Sequence, residues 1–407
     1  MRLSGENQIS TPSARRGEKS ARGRFVVAAL ATIGCALACG ALAPAFADEI
    51  GSTVTNVRIV DNRPRLPPAT PPVGPVHRRA DGHIELVDPA TNSGSLARLC
   101  AANTLCVGEG QAYTTLSAAL LAAREHDLIE IAGGNYRESA TVTVHNLTIR
   151  GVKGQPHFDC AGIGLQADKA CLLLAADGIT LENLDISGAQ ISENAGANGA
   201  CIRNEPNMSF TLRDIICHAS QSGILSEGGT ILVENSEFFD NGWNEFAHNV
   251  YFSGNCSVTV RGSIFRDARV GHEFKSRCFN TTISDSTFRS TKGSRNLDIA
   301  NGGETSLYRS LLVKTPGTDN SGIIGFATES CAHPGDMLIK DVRIINSDPA
   351  AEIRNYDKCT GHAVILEAVT FEGIPPKMLG YIKDGAATPN VAAAPTSGPA
   401  IVPLSRP

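Results

Sequence analysis

The chain has 407 residues, 42% of them hydrophobic and 19% charged, with 40 Gly and only 5% aromatics. This composition suits a globular, turn-rich protein with room for one large domain and flanking segments. The formal net charge is −5, and no basic stripe marks a nucleic-acid partner, so a polyanionic ligand would need a local cationic patch or a bridging metal.

In chain order, a basic start (Arg15, Arg16, Lys19, Arg22, Arg24) leads into an apolar run from Phe25 to Ala43 that closes on Ala45-Phe-Ala47. This is the pattern of a signal peptide over residues 1–47, cleaved before Asp48. The expected location is secreted or periplasmic. Surface or lipoprotein attachment through Cys39 stays open, and no membrane span is expected in the mature chain. Cleavage takes out six basic and two acidic side chains and leaves 30 against 39, a net charge of −9. Residues 48–85 read as an N-terminal linker, Pro-rich over 62–78. Residues 86–145 read as a cap and first coil, with a short amphipathic helix over 114–125 that has Thr available as N-cap. Residues 374–407 read as an Ala- and Pro-rich tail.

Between these, residues 146–373 carry a repeat. An apolar-x-apolar strand recurs at Leu147, Ile179, Phe210, Ile231, Val258, Thr281, Thr305, Met337 and Val364, at steps of 21 to 32 residues. Several copies continue into Glu234–Phe238, Arg261–Phe265 or Ser284–Phe288, each ending on Phe. One such repeat cannot bury its own apolar face, whereas stacked coils can. Apolar spacing of two excludes helical repeats. The scarcity of Asn-Gly hairpin signals ranks a sandwich or propeller second. The fold class is therefore all-β, a right-handed parallel β-helix with a short N-terminal capping helix. Ten cysteines lie beyond the signal segment, an even number that predicts disulfides, with neighbour pairing the simplest scheme. Cys256 and Cys278 are 22 residues apart, one repeat.

One strand per coil has unusual polar content. Alignment on its apolar residues gives three outward columns. The first is Asn249, Glu273, Asn296 and Glu352. The second is Tyr251, Lys275, Asp298, Gly325 and Arg354. The third is Glu227, Ser253, Arg277, Ala300 and Ala327. Adjacent coils lie about 4.8 Å apart, so Tyr251, Lys275 and Asp298 should be neighbours with Arg277 beside them. In the functional reading Lys275 abstracts a proton α to a uronate carboxylate, Arg277 neutralises that carboxylate and Tyr251 protonates the leaving oxygen. The plain alternative is a charge ladder that stabilises strand pairing. His248 and His272 share a repeat position and should stack. His272 is also a catalytic candidate, since neutral imidazole can serve as base or ligand. Asn249, Glu273, Asn296, Arg354 and Trp243 are candidate substrate contacts, with Phe246 beside Trp243. Glu227, Asn249 and Glu273 offer oxygen ligands for a Ca²⁺ ion.

The stretch from Gly108 to Leu120, followed by Asp127–Glu138, resembles the opening of pectin-lyase-like β-helix proteins, a superfamily of pectate lyases, pectin methylesterases, polygalacturonases, alginate lyases and uronan epimerases. The segment Glu273–Phe288 is also similar to an alginate-lyase-type family with a Lys-Ser motif, which implies Lys275 as the base. That family places a catalytic Arg one coil later, where this chain has Ala300. The resemblance implies a protein acting on a polysaccharide, with β-elimination of an acidic one as the leading expectation; nothing in the sequence signals an oligomer, and a monomer is expected. Three alternatives are a glycoside hydrolase using Asp298 and Glu273, a uronan C5-epimerase, and a non-catalytic glycan-binding envelope protein.

Overall fold

The computed structural model describes residues 104–385 apart from Glu245, together with an antiparallel pair of short strands, Val76–Arg78 and Ile84–Leu86. The signal segment, most of the linker, Cys100 and the final Ala/Pro-rich residues lie outside the described residues.

Residues 104–385 wind as a right-handed parallel β-helix with three faces. The repeat noted in the sequence forms one of them, here the second face: Thr148–Val152 pairs with Ile179–Glu182, which pairs with Phe210–Arg213. The ladder continues in register through Asn280–Ser284, Glu304–Tyr308, Met337–Lys340 and Val364–Glu367. The third face is a ten-stranded parallel sheet running from Asn135–Tyr136 to Thr370–Gly373. The first face carries the polar strands, including Ala200–Asn204, Phe274–Ser276, Leu297–Ile299, Gly322–Phe326 and Glu352–Asn355. Two long strands, Ser222–Glu234 and Val250–Arg261, bend through the corner and join the first and second faces into one sheet.

The Ser-containing extension now has a physical explanation. Its second residue turns the corner in the left-handed region: φ is +50° at Asn235, +59° at Gly262 and +53° at Asp285, which Gly, Asn and Asp tolerate best. The serine that follows is buried and bonds in two directions. The Oγ of Ser263 donates to Arg261 O at 3.0 Å and accepts the N–H of Ser236 at 3.2 Å. Ser286 repeats this one coil on. Each backbone polar group exposed by the corner is thereby satisfied inside the solenoid. The terminal Phe residues stack along the core, Phe238 on Phe265 at 5.4 Å and Phe265 on Phe288 at 5.0 Å.

The ends depart from expectation. The helix is only Leu116–Ala122, capped by Thr115, whose side chain accepts from Ala118 N–H, and by Glu138, which accepts from the N–H of Leu116 at 2.7 Å. An extra rung, Thr104–Val107, precedes it and pairs with Leu128–Ala132. At the other end the coils run past 373: Lys377–Leu379 and Ile382–Gly385 still pair in register. Neighbour pairing holds for Cys160–Cys171, Cys201–Cys217, Cys256–Cys278 and Cys331–Cys359, and Cys106 is disulfide-bonded as well. No helix among the described residues is long and apolar enough to cross a membrane.

Candidate functional site

The middle column of the first face stands in the register the alternation predicts. Leu225 pairs with Tyr251, Tyr251 with Lys275, Lys275 with Asp298, Asp298 with Gly325 and Gly325 with Arg354. Period-two alternation puts the flanking Phe274, Ser276, Leu297 and Ile299 inside, which fixes the column outward. The structure therefore brings Tyr251, Lys275, Arg277, Asp298 and His272 together.

Lys275 Nζ lies 3.8 Å from Asp298 Oδ2 and donates to Glu329 Oε1 at 2.7 Å. Arg277 bonds to both Tyr251 Oη and Glu329. Both cations approach the Tyr251 ring, Lys275 Nζ at 5.5 Å and Arg277 at 5.2 Å from its centroid. Glu329 is thus a carboxylate clasped by an ammonium and a guanidinium. Burial pushes its carboxyl up, but the hydrogen bond from Lys275 and the charges of Lys275 and Arg277 more than reverse this and hold it below its ordinary value. Burial raises the Tyr251 phenol against the opposing pull of Arg277, which favours its protonated form.

Asp298 is 1% exposed and is met from three sides. Besides Lys275, His272 Nε2 lies at 3.4 Å and Arg295 Nη1 at 3.5 Å. Burial drives both His248 and His272 well below the usual imidazole range, helped for His248 by His272 and for His272 by Arg295. The two rings stack 4.8 Å apart. Backbone N–H groups donate to both Nδ1 atoms, from His272 to His248 at 3.0 Å and from Arg295 to His272 at 3.2 Å. A neutral ring that accepts at Nδ1 carries its proton on Nε2, so His272 presents N–H to Asp298 and has no lone pair left for a substrate.

Three groups of this cluster escaped the sequence reading. Glu329 sits in the loop after Gly322–Phe326, where Ala327 turns left-handed at φ +54°. The loop is pinned by Glu329 N–H to Ala300 O at 2.8 Å, by Lys358 Nζ to the carbonyls of Thr328 and Glu329, and by Cys331–Cys359. Arg295 lies across Gly325: a Cβ there would meet Arg295 Nε at 3.0 Å. That gap in the column lets Arg295 reach both Asp298 and the Tyr356 hydroxyl, the latter at 2.7 Å. The signal available for Arg295 was the glycine in the column. Glu329 and Tyr356 lie beyond strand alternation and had none.

Other expectations are corrected. Asn249, Glu273 and Asn296 face inward, each 0% exposed. They precede their strands, in the corner, where the chain turns and alternation no longer holds. Asn249 Nδ2 donates to Glu273 Oε2 at 2.5 Å and to Arg266 O, and Asn296 Nδ2 to Phe288 O and Val313 O. Burial raises Glu273 to about 8, against hydrogen bonds from Ala268 N–H and Asn249. Burial lowers the neighbouring Lys314 to about 8, against the pull of Glu273 and Asp348. Ala300 and Ala327 are also buried, not outward. Glu352 is half-buried, past a register irregularity. Arg354 covers the Tyr356 ring at 4.5 Å, away from Lys275. Glu227 is ion-paired with Arg203, and with Glu273 inside the core the two do not form a calcium cage. Trp243 and Phe246 are exposed. Toward the N-terminus the cluster opens into a groove of about 510 Å³ lined by Arg203, Leu225, Glu227, Tyr251 and Ser253 among others, within the range of ligand sites.

The family described as right-handed β-helix region matches residues 129–311. Together with the three-faced parallel ladder, this match identifies the fold as a right-handed parallel β-helix. Similar solved structures include a pectin methylesterase from Aspergillus niger (15% identity, 72% of this chain and 92% of that one, TM-score 0.42) and the pectate lyase Pel9A (10%, 70% and 76%, TM-score 0.44). A pectin methylesterase from carrot is similar at 12% identity over 71% of this chain and 89% of that one, TM-score 0.42. A search of curated proteins by sequence gives no match.

Proposed function

We propose that the protein acts on an acidic, uronate-containing polysaccharide laid along the first face, and cleaves it by β-elimination. One observation carries this reading: Lys275 and Arg277 share the carboxylate of Glu329 on the outward column, beside an open groove. Two cations converging on a planar anion form a carboxylate receptor, and Glu329 holds the place that a sugar carboxylate would take. The pinned loop supplies this carboxylate when no substrate is present, so the two cations are never left unpaired.

A uronate that displaces Glu329 brings its carboxylate to Arg277, which neutralises it and acidifies the adjacent C–H. Lys275, in its amine form, takes that proton. The electron pair closes a carbon–carbon double bond, the glycosidic C–O bond breaks, and the Tyr251 phenol gives its proton to the leaving oxygen. Asp298 orients Lys275, and His272 and Arg295 orient Asp298. Arg277 and Arg295 supply guanidinium groups where the resembling family has one at the position of Ala300. The hydrolase alternative needs two accessible acids, and both of its candidates are buried, Glu273 at 0% and Asp298 at 1% exposure. Because Tyr251 must be a phenol, and burial raises it above its ordinary value, activity should fall on the alkaline side only where that phenol ionises.

The test is ultraviolet absorbance of unsaturated sugar ends from alginate, pectate and bacterial acidic exopolysaccharides, with and without Ca²⁺. Lys275→Ala and Tyr251→Phe should each lower the rate by at least about 100-fold, the scale of lost general acid–base catalysis. New reducing ends without a double bond would replace this reading with hydrolysis. Saturable binding without product would leave a glycan-binding protein.

A further inference from the structure

A second cluster lies on the third face, outside the constellation of Tyr251, Lys275 and Asp298. His157, Asp185 and His218 come from three consecutive strands, His157–Asp159, Asp185–Ser187 and Ile216–His218. The ladder aligns His157 with Asp185, and Ser187 with His218. One ring nitrogen of each histidine and one carboxylate oxygen of Asp185 all lie within 4.8 Å of one another. Ligands bound to one first-row divalent ion at its usual bond lengths sit roughly 3 to 3.5 Å apart, so small side-chain rotations suffice to converge these three.

Two observations point to an occupant. Asp185 Oδ1 is buried and accepts no hydrogen bond. Its one close partner is His218 Nε2 at 3.2 Å, which pairs with it as a charge only when the imidazole is protonated. Buried carboxylate oxygens are normally satisfied, and a cation between Asp185 and the rings would satisfy this one. The His218 ring is held in place for such a role. It stacks on Phe239 at 4.9 Å with an angle of 6° between planes, and Arg266 covers the other partner of that stack at 4.1 Å. His157 Nε2 lies 2.8 Å from Ser187 Oγ, which places a hydroxyl beside the cluster.

We propose that His157, Asp185 and His218 bind a divalent transition-metal ion that clips three successive coils together. Two imidazoles and one carboxylate suit zinc and its neighbours, whereas calcium prefers an all-oxygen shell. The fourth position is open to water or to Ser187 Oγ. This site is independent of the polysaccharide reading and stands or falls separately from it.

The experiment is calorimetric titration of untagged, chelator-stripped protein with zinc chloride, followed by thermal unfolding with and without the ion. One ion per chain is expected, with a higher melting midpoint in its presence. His157→Ala and His218→Ala should each weaken binding by at least about tenfold, since loss even of an outer partner of a metal ligand costs that much. Both should abolish the zinc-dependent rise in midpoint. Melting of the metal-free variants reports whether they fold. If one does not, the ring resonances of His157 and His218 in the wild-type protein decide, because zinc should shift both. Absence of saturable one-to-one binding would overturn the proposal. So would wild-type affinity in both variants, or zinc-induced shifts confined to other histidines.

Discussion

Gly325 has no side chain, and the site depends on that. An added Cβ would meet Arg295 Nε at 3.0 Å and Thr328 Cγ2 at 2.6 Å. Both are side-chain atoms, so Gly325→Ala should fold, with Arg295 displaced from Asp298 and Tyr356. The expected result is a soluble protein with a midpoint within a few degrees of wild type and activity reduced roughly tenfold, since one charged contact at the site is worth about that; unchanged turnover would separate Arg295 from the chemistry. Glu273 makes a different kind of prediction. Its folded value of about 8 exceeds its ordinary 4.5, so the folded chain keeps a proton that the unfolded chain releases. This contribution is complete below about pH 4.5 and drains away as pH rises to about 8. Lys314, lowered to about 8 from 10.5, has the opposite window, costing stability below about pH 8 and recovering it toward 10.5. Urea unfolding at pH 5 and pH 8 should show a decline on the order of a few kcal/mol that Glu273→Gln removes; an equal decline in the variant would assign it to other groups.

The elements explain what the sequence made legible. Inside a strand, alternation of period two is rigid, so Tyr251, Lys275 and Asp298 could be set in register from their apolar neighbours alone, and the structure pairs them that way. The same rule misplaced Asn249, Glu273 and Asn296 because those residues lie in the corner, where inward direction is set by the turn. Glu329 and Tyr356 are fixed by a disulfide, a left-handed Ala327 and contacts between distant coils, none of which leaves a local pattern. The repeat extension was visible as a motif, but its serine ladder and left-handed corner became intelligible only once coils were stacked. Phe265, between Phe238 and Phe288, should be the costly member: Phe265→Ala is expected to lose about 3–5 kcal/mol, read by denaturant unfolding, while Phe279→Ala, at a 37% exposed position, should lose far less. Replacing Cys331 and Cys359 by Ser should free the Glu329 loop and cost about 2–4 kcal/mol, with a loss of activity larger than the loss of stability accounts for.

At the scale of the molecule, the solenoid makes one continuous core and one continuous outer ladder from coils that contact only their neighbours. Four disulfides whose two cysteines are both among the described residues staple this ladder, in keeping with an oxidising compartment. The extended face suits an extended polymer, and the charged constellation sits along it beside the groove. In the proposed reading its central feature is the carboxylate of Glu329, held by Lys275 and Arg277 in the place of a sugar carboxylate. The most direct measurement is the affinity of an acidic oligosaccharide for wild type, Glu329→Gln and Arg277→Ala, with a neutral oligosaccharide as control. Removing the internal competitor should tighten acidic-sugar binding by about tenfold, the effect of roughly 1.4 kcal/mol, and Arg277→Ala should weaken it, while the neutral sugar responds to neither. Weaker binding of the acidic sugar by Glu329→Gln, or equal responses of both sugars, would contradict the account.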